Sequence, residues 1–167
     1  KLPYGSNQAF APVMLVGRGP NVLVVRANSP VQDLDSLLAQ AKASPGKLTY
    51  ASPGSGTSPH LSGELFAKLA KVGITHVPYR GAGPALNDLL GGQVDFMFAT
   101  AAAAAPLIDS GKVRALGVTT AQPSAAFKNV PAVATRVPGF VVESWYGLYV
   151  PTNTPQAIID RLNQAAR

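Results

Sequence analysis

Residues 47–63, KLTYASPGSGTSPHLSG, constrain the fold of this chain more than any other segment. They predict a short strand, a loop rich in Gly, Ser and Thr, and then a helix. Ser58 is a favourable N-cap, and Pro59 suits the first helical position because its missing N–H would have no helical partner there. A strand that passes through a short loop into a helix is the repeating unit of α/β proteins. The segment therefore predicts an α/β fold.

The same loop has the features of an anion-binding site. Gly54 and Gly56 let the backbone turn so that several N–H groups converge ahead of the helix. Those N–H groups and the positive end of the helix dipole attract an anion. The loop lacks the Lys of a nucleotide-triphosphate loop and the third Gly of a dinucleotide fingerprint, which favours a smaller anion such as a carboxylate. An ordinary strand-to-helix turn is an equally good interpretation of these residues alone.

Strands and helices alternate along the rest of the chain. Apolar and β-branched runs predict strands over residues 22–27, 47–51, 74–79, 94–99, 114–120 and 142–150. Helical spacing predicts helices that begin near Leu34, Ser58, Gly83 and Pro155, and the second of them has Leu61, Leu65 and Leu69 on one face. An alanine run at 101–105 precedes a helical turn at 106–110. This order predicts a mainly parallel, doubly wound sheet with helices on both faces, and ligands in such sheets bind beyond the carboxyl ends of the strands.

Composition narrows the classes of function. The 167 residues are 47% hydrophobic, which is ample for one core, and the longest apolar runs fall short of the roughly 20 residues needed to cross a bilayer. The absence of cysteine excludes disulfides and thiol catalysis. The net charge of +6 favours acidic ligands, but the basic residues are scattered singly, so we expect no nucleic-acid partner.

Four motifs occur in order along nearly the whole chain: TYASPGSGTSPHLSGELF, HVPYRGAGPALNDLLGGQVDFMF, SGKVRALGVTT and WYGLYVPTNTPQAIIDRLN. Together they resemble the extracytoplasmic receptors of tripartite tricarboxylate transporters, often called Bug-type binding proteins. The resemblance implies a periplasmic-binding-protein type II fold and no cofactor. It also implies that two lobes capture a small organic mono-, di- or tricarboxylate in the periplasm and deliver it to the membrane permease subunits of the transporter.

The resemblance further implies that this chain is the second lobe of such a receptor. Residues 1–20 would be the crossover from the first lobe, residues 21–150 the second lobe, and residues 151–167 the hinge return and the start of a C-terminal helix. The signal peptide and the first lobe would lie outside this sequence. We expect such a chain to fold but to bind carboxylates weakly, because the partner lobe supplies part of the contact surface.

In receptors of this kind, backbone amides, hydroxyls and water molecules hold the carboxylates. The resemblance places this lobe's share on the loop before the second predicted helix, with Ser52, Gly54, Gly56, Thr57, Ser58 and His60 as the ligand-binding residues. Arg80 is a candidate bidentate partner for a carboxylate, although an exposed arginine on a turn is the more ordinary interpretation. Thr100 and Ala101 would line the cleft with small groups.

An enzyme is the less favoured interpretation. His60 and Glu64 lie four residues apart and would supply only two metal ligands, so no metal site is predicted. Asp88 is interpreted as solvent-facing and Asp95 as an anchor for local turn amides, and His76 as a strand histidine with no special role. The chain has no G-x-S-x-G motif, and no catalytic residue is predicted.

Two functions of other classes stay open from the sequence. One is the effector-sensing domain of a transcription regulator, which has the same general architecture and would require a helix-turn-helix encoded upstream. The other is a small α/β enzyme that acts on carboxylic acids. The aromatic cluster of Trp145, Tyr146 and Tyr149 is predicted to pack in the core near the hinge rather than against a ligand.

Overall fold

The computed structural model describes residues 9–167. Residues 1–8, which belong to the predicted crossover 1–20, lie outside the described residues. In chain order the elements are β1 (Phe10–Arg26), α1 (Leu34–Ala43), β2 (Thr49–Ser52), α2 (Ser58–Ala70), β3 (Thr75–Pro78), α3 (Ala82–Gly91), β4 (Phe96–Thr100), α4 (Ala101–Asp109), β5 (Val113–Val118), β6 (Glu143–Pro151) and α5 (Gln156–Ala165). A short 3-10 helix at Val133–Thr135 lies between β5 and β6.

The chain divides into two compact units. One is continuous, Gly19–Ser144, and carries all the predicted ligand-binding residues. The other combines Lys1–Arg18 with Trp145–Arg167. The predicted limits of the lobe and of its two crossings stay predictions.

Most strands of the sheet point in the same direction. The strand order is β3-β2-β4-β1-β5, and β6 pairs with β1. β2 is parallel to both β3 and β4, whereas β1 is antiparallel to β4 and to β5. β3, β2, β4 and β5 therefore run one way and β1 runs the other. The predicted mainly parallel α/β sheet is confirmed, with β1 as the reversed strand.

Helices cover both faces of the sheet, as predicted. Alternate residues of the central strands enter different cores: Leu23 and Phe98 face α1 and α2, and Val22 and Met97 face α3 and α4. This alternation follows from the two-residue period of a strand. The first core is rich in aromatic rings, and the second is built from Val, Ala and Leu.

The buried face of α2 differs from the prediction. Leu61 and Leu69 are 52% and 37% exposed, and of the three leucines predicted on one face only Leu65 packs, partly buried, against the aromatic core. The buried residues are Pro59, Ser62, Gly63 and Phe66. The small side chains at the middle of this face let the helix lie close to the sheet, and Phe66 then fills the aromatic core.

Two further predictions were wrong in detail. The alanine run and the turn after it form one helix, α4, and Pro106 lies inside it. An interior proline removes one helical hydrogen bond and usually kinks or ends a helix, yet α4 continues through Pro106 to Asp109. Trp145, Tyr146 and Tyr149 are each about half exposed on β6, so they do not pack in a core.

Among residues 9–167, no helix has both the length and the hydropathy that a membrane span requires.

Candidate ligand-binding site

Three helices begin at the same edge of the sheet. β3, β2 and β4 are adjacent and parallel, and their carboxyl ends lead into α3, α2 and α4. Neighbouring strands lie about 4.8 Å apart, so three helix N-termini open onto a short stretch of this edge. α1 begins at the opposite edge, because it follows the reversed strand β1.

The helices at the two edges differ in how their first turns are capped. α1 has a complete capping box, in which Ser36 N–H donates to the Asp33 side chain at 2.8 Å and Ser36 Oγ accepts from Asp33 N–H. The N-cap residues Thr57 of α2 and Thr100 of α4 make no side-chain capping bond, and the N-cap of α3 is Gly81. We call the sheet edge at which α2, α3 and α4 begin the ligand edge. The first-turn N–H groups at this edge are therefore not satisfied by side-chain caps.

The start of α2 is one residue earlier than predicted. Thr57, with an extended backbone, is the N-cap, and Ser58 is already helical. Ser58 therefore lies inside the helix and does not cap it, and its hydroxyl lies 2.5 Å from Ser144 Oγ. Thr57 Oγ1 instead donates to Gly54 O at 2.7 Å. The predicted N-cap role of Ser58 was wrong, although both residues lie in the predicted loop-to-helix junction.

Half of the loop amides are used inside the loop and half are open. Gly54 N–H donates to Ser52 Oγ, Gly56 N–H to His60 Nδ1, and Thr57 N–H to Gly54 O. Within the described part of the chain, the N–H groups of Ser55, Ser58 and His60 make no internal hydrogen bond. The open donors belong to the tip of the loop and the first turn of α2. The amides of Gly54, Gly56 and Thr57 therefore hold the loop in shape, and the open amides lie between and after them along the chain.

The positive φ angles of the two glycines are required by this loop. Gly54 has φ +149° and Gly56 has φ +85°, values that a residue with a Cβ rarely adopts. A Cβ on Gly54 would also lie 3.5 Å from the carbonyl oxygen of Tyr79. The glycines predicted as ligand residues thus have a definite structural task in forming the loop.

Ser52 and His60 contact a residue that the sequence interpretation dismissed. Ser52 is fully buried, and its Oγ lies 2.6 Å from His76 Nε2. The rings of His60 and His76 are 4.2 Å apart between centroids. The parallel register of β2 and β3, which pairs Tyr50 with His76, creates this contact, and no local pattern around His76 indicates it.

The secondary candidates lie on the two flanking connections. Arg80 is exposed on the loop between β3 and α3 and makes no hydrogen bond or ion pair with any residue in 9–167. Beside it, Tyr79 O–H donates to Asp88 at 2.7 Å, and burial together with this bond raises the pKa of Tyr79 to about 12. Thr100 and Ala101 form the junction between β4 and α4 and are partly exposed. Asp95 accepts from Thr49 N–H at 2.7 Å, which ties β4 to the start of β2.

A buried polar network supports the first turn of α2 from below. Asn21, which is fully buried, donates through Nδ2 to Ser62 Oγ at 3.1 Å and accepts from Ser144 Oγ at 2.8 Å. Ser62 Oγ in turn donates to Ser58 O at 2.8 Å. Thr119 Oγ1 accepts from Asn21 N–H at 2.8 Å. Four separate segments of the continuous unit are therefore joined at the base of the ligand edge.

The chain matches a known protein family over its whole length. A family profile described as "Tripartite tricarboxylate transporter family receptor" matches residues 1–167. The chain belongs to this family. The resemblance drawn from the four motifs is confirmed, and the family is one of receptors rather than enzymes.

One curated relative and two solved structures show how close the similarity is. The chain is 43% identical over 165 residues to a protein of a Pseudomonas species named "UPF0065 protein in tcbD-tcbE intergenic region", with 98% of this chain and 49% of the relative covered. The structure of R. palustris Rpa4515 with adipate matches with a TM-score of 0.96 and 35% identity, over 99% of this chain and 56% of that chain. MatC from Rhodopseudomonas palustris with bound malate matches with a TM-score of 0.90 and 35% identity, over 99% and 57%.

The receptor chain spans about half the length of the full-length relatives it matches. The type II binding-protein fold predicted from the motifs is confirmed by the solved structures.

Two other features are weaker candidates for a binding site: a cavity at the start of α1 and the pair His60 and Glu64. A cavity of about 370 Å³ lies at the start of α1, where Arg136 Nε lies 2.7 Å from Asp35 Oδ1. That helix start is already capped by its own side chains, so the cavity is a poorer anion site than the loop. His60 Nε2 and Glu64 Oε1 are 3.9 Å apart, and residues 9–167 contain no group of three or more His, Asp or Glu that could hold a metal ion.

Proposed function

We propose that this chain is the ligand-binding part of a periplasmic receptor that captures small organic carboxylates. The observation that carries the proposal is the open first turn of α2, where the N–H groups of Ser55, Ser58 and His60 have no internal partner. Neutral donors at the positive end of a helix can hold an anion without burying a counter-charge. The adipate and malate in the two related structures support a carboxylate as the ligand.

The arrangement of helices favours ligands with more than one carboxylate. The uncapped N-termini of α3 and α4 flank that of α2 at the same sheet edge. One carboxylate on the α2 turn would leave a second within reach of Thr100 or Arg80, the residues that begin the neighbouring connections. Ser52, Gly54, Gly56 and Thr57 shape the loop, while Ser58, His60 and Ala101 present their amides. Dicarboxylates and tricarboxylates are therefore the proposed ligands, and monocarboxylates would use only part of the site.

The receptor family and the share of its relatives that the chain spans support a role in transport. We propose that residues 21–150 are the second lobe of a two-lobed receptor, with residues 1–20 and 151–167 as the crossings to the first lobe. Ligand between the lobes would favour the closed form, which permease subunits of a secondary transporter would recognise in the periplasm. Such closure is a population shift. The ligand can change the open–closed equilibrium only by as much as its affinity differs between the two forms.

Titration of the chain with adipate tests the proposal directly. A single lobe lacks part of the contact surface, so we expect a dissociation constant of about 0.1–1 mM rather than micromolar. The amide NMR signals of Ser55, Ser58 and His60 should move together during the titration. 1,6-Hexanediol, which has a similar length and no charge, is the matched ligand and should leave those signals in place. A micromolar or tighter constant would contradict the single-lobe interpretation, and unchanged loop signals at saturating adipate would contradict the site.

A charge placed at the tip of the loop provides the second test. Ser55 is exposed, so Ser55→Asp adds a negative charge beside the open amides without changing the core. We expect about tenfold weaker adipate binding, equivalent to about 1.4 kcal/mol. The free energy of unfolding should stay equal or rise slightly, because a carboxylate near a helix N-terminus is stabilising.

Ser55→Asn is the matched variant, since it has the same shape and no charge. It should bind adipate within about twofold of the original chain, because the change is neutral and exposed. Equal affinities for the Asp and Asn variants would show that the ligand does not sit at this helix start.

A further inference from the structure

A titratable cluster lies directly beneath the candidate carboxylate loop. His76 on β3 stacks on Tyr50 with 4.9 Å between ring centroids, and its ring lies tilted by 45° against that of His60 with 4.2 Å between centroids. Tyr50 O–H donates to Glu64 Oε1 at 2.7 Å, and the same carboxylate oxygen lies 3.9 Å from His60 Nε2. The two histidines therefore form one cluster with Tyr50 and Glu64. His76 contacts the loop through Ser52.

His76 is connected to the loop by the Ser52 hydroxyl. Ser52 Oγ, 2.6 Å from His76 Nε2, also accepts from Gly54 N–H and lies 3.2 Å from Gly54 O. A neutral Nε2 can accept the Ser52 proton, which leaves the serine oxygen free to accept from Gly54. Protonation of the ring removes this option, because both ring nitrogens then donate, and the Ser52 hydroxyl can donate only to Gly54 O, which already accepts from Thr57 Oγ1. Protonation of His76 thus restricts the hydrogen bonds that shape Gly54.

His60 is connected to the loop by its other ring nitrogen. Gly56 N–H donates to His60 Nδ1 at 3.2 Å, so Nδ1 carries no proton and the neutral ring has its proton on Nε2. An imidazolium has a proton on both nitrogens and cannot accept this bond. Gly56, at φ +85°, is the residue at which the chain turns toward Thr57.

We propose that His60 and His76 are positioning residues of the carboxylate site, and that as neutral imidazoles they hold the loop so that the amides of Ser55, Ser58 and His60 stay open. The inference rests on the proposed function for its purpose, but the positioning itself can be observed without any ligand. Ser52 acts here as a connector and not as a nucleophile, because it is fully buried and its oxygen is engaged by Gly54.

The arrangement makes the order of the loop dependent on pH. The pKa of His76 lies below its ordinary value, first because burial desolvates the imidazolium and then because of its neighbour His60, while Glu64 acts in the opposite direction. A histidine whose pKa is lowered by folding stabilises the protein above its ordinary pKa of about 6.5. That contribution is lost as the pH falls below this value. We therefore expect the loop to be ordered near pH 7.5 and to loosen as the pH falls through the lowered pKa of His76.

Paired variants separate the hydrogen bond from the proton. His60→Asn retains an acceptor at the δ position, and His76→Gln retains a polar group at the ε position, but neither side chain titrates. Alanine at either position removes the bond. The first readout is hydrogen exchange of the Gly54 and Gly56 amides, corrected for the intrinsic effect of pH. In the original chain, protection of Gly54 should fall about tenfold from pH 7.5 to a pH at which the His76 ring is protonated.

The expected pattern is specific to positioning. His60→Asn should keep Gly56 protected at both pH values, and His60→Ala should leave it unprotected at both. His76→Gln and His76→Ala should show the same contrast at Gly54. Protection in the alanine variants, or a pH dependence that survives in the Asn and Gln variants, would overturn the proposal. NMR of the ring nitrogens in the unmodified chain needs no variant to fold, and a proton on Nδ1 of His60 at pH 7.5 would overturn it as well.

Adipate titration at pH 7.5 then separates this inference from the proposed function. Each alanine variant should bind about tenfold more weakly than its Asn or Gln counterpart, because the open amides are no longer held in place. Loop protection that behaves as expected while no variant binds adipate would reject the proposed function and retain the positioning role. Affinity that is equal within each pair would reject the positioning role and retain the site.

Discussion

Gly63→Ala is expected to lower the free energy of unfolding by about 2–3 kcal/mol, although it replaces glycine by the best helix former. Gly63 lies in the middle of α2 on the buried face. A Cβ there would lie 2.8 Å from Cδ2 of Tyr50 and still closer to Cε2 and Cζ. The steric cost therefore exceeds the gain in helix propensity, which is about 1 kcal/mol.

The Tyr50 ring cannot move aside to make room. It is fully buried between His76 and Phe96, with 4.9 and 5.8 Å between ring centroids, and its hydroxyl donates to Glu64. Relief would require α2 to rise from the sheet, which would also displace the start of the helix at the ligand edge. Over-packing of this kind is expensive because protein interiors are close to crystalline density.

Gly83→Ala is the matched control, since Gly83 is also helical and a Cβ there meets nothing within 4 Å. That substitution should leave stability unchanged or raise it by up to about 1 kcal/mol. Urea denaturation of both variants gives the comparison. A stabilising Gly63→Ala would mean that α2 lies farther from Tyr50 than the structure has it.

The sequence alone predicts the order of the elements well, because each element has its own local pattern. The β-branched run around Val24 and the helical spacing after Leu34 need no distant information. The direction of β1, in contrast, has no local sequence pattern. It depends on pairing with β4 and β5, whose residues lie more than 70 positions away in the chain, and no period within β1 specifies the orientation of a partner.

The apolar face of α2 shows a second limit of sequence patterns. Three leucines lie at helical spacing, yet only Leu65 packs against the core, and the most buried side of the helix carries Ser62 and Gly63. Small residues are favoured there because a larger side chain at Gly63 would collide with the buried Tyr50 ring. Hydrophobicity of the residues themselves does not contain that information.

The candidate site divides in the same way. The loop and the helix start that follows it are local features, so Gly54, Gly56 and Ser58 can be identified from their spacing. His76 and Asn21 reach the site only through tertiary contacts, at sequence separations of 24 and 41 residues from Ser52 and Ser62. A single histidine or asparagine in a strand gives no signal of such a contact. The sequence therefore predicts the loop but gives no signal for the residues that support it.

Removing the Asn21 side chain should have an effect as large as that of the helix glycine. We expect Asn21→Ala to lower the free energy of unfolding by about 3 kcal/mol, which for a chain of this size is a fall in Tm of roughly 6–12 °C. Two buried hydrogen bonds, to Ser62 and from Ser144, are lost, and a small cavity remains. Asn87→Ala is the control, because Asn87 is exposed on α3 and should change stability by less than about 0.5 kcal/mol.

Asn21→Asp distinguishes a polar network from simple filling of space, because it keeps the shape and alters only the hydrogen bonding and charge. A carboxylate at this fully buried position would lose the donor to Ser62 and would be desolvated, so its pKa should lie above the ordinary range. A raised pKa in the folded state means that stability is present at low pH and is lost as the pH rises through that value. Relative to Asn21→Ala, which retains the pH dependence of His76, the variant should therefore be more stable near pH 5 than near pH 8. Thermal unfolding of both variants across this range measures the difference. A difference that is constant across the range would mean that the position is hydrated and that the network does not hold the first turn of α2.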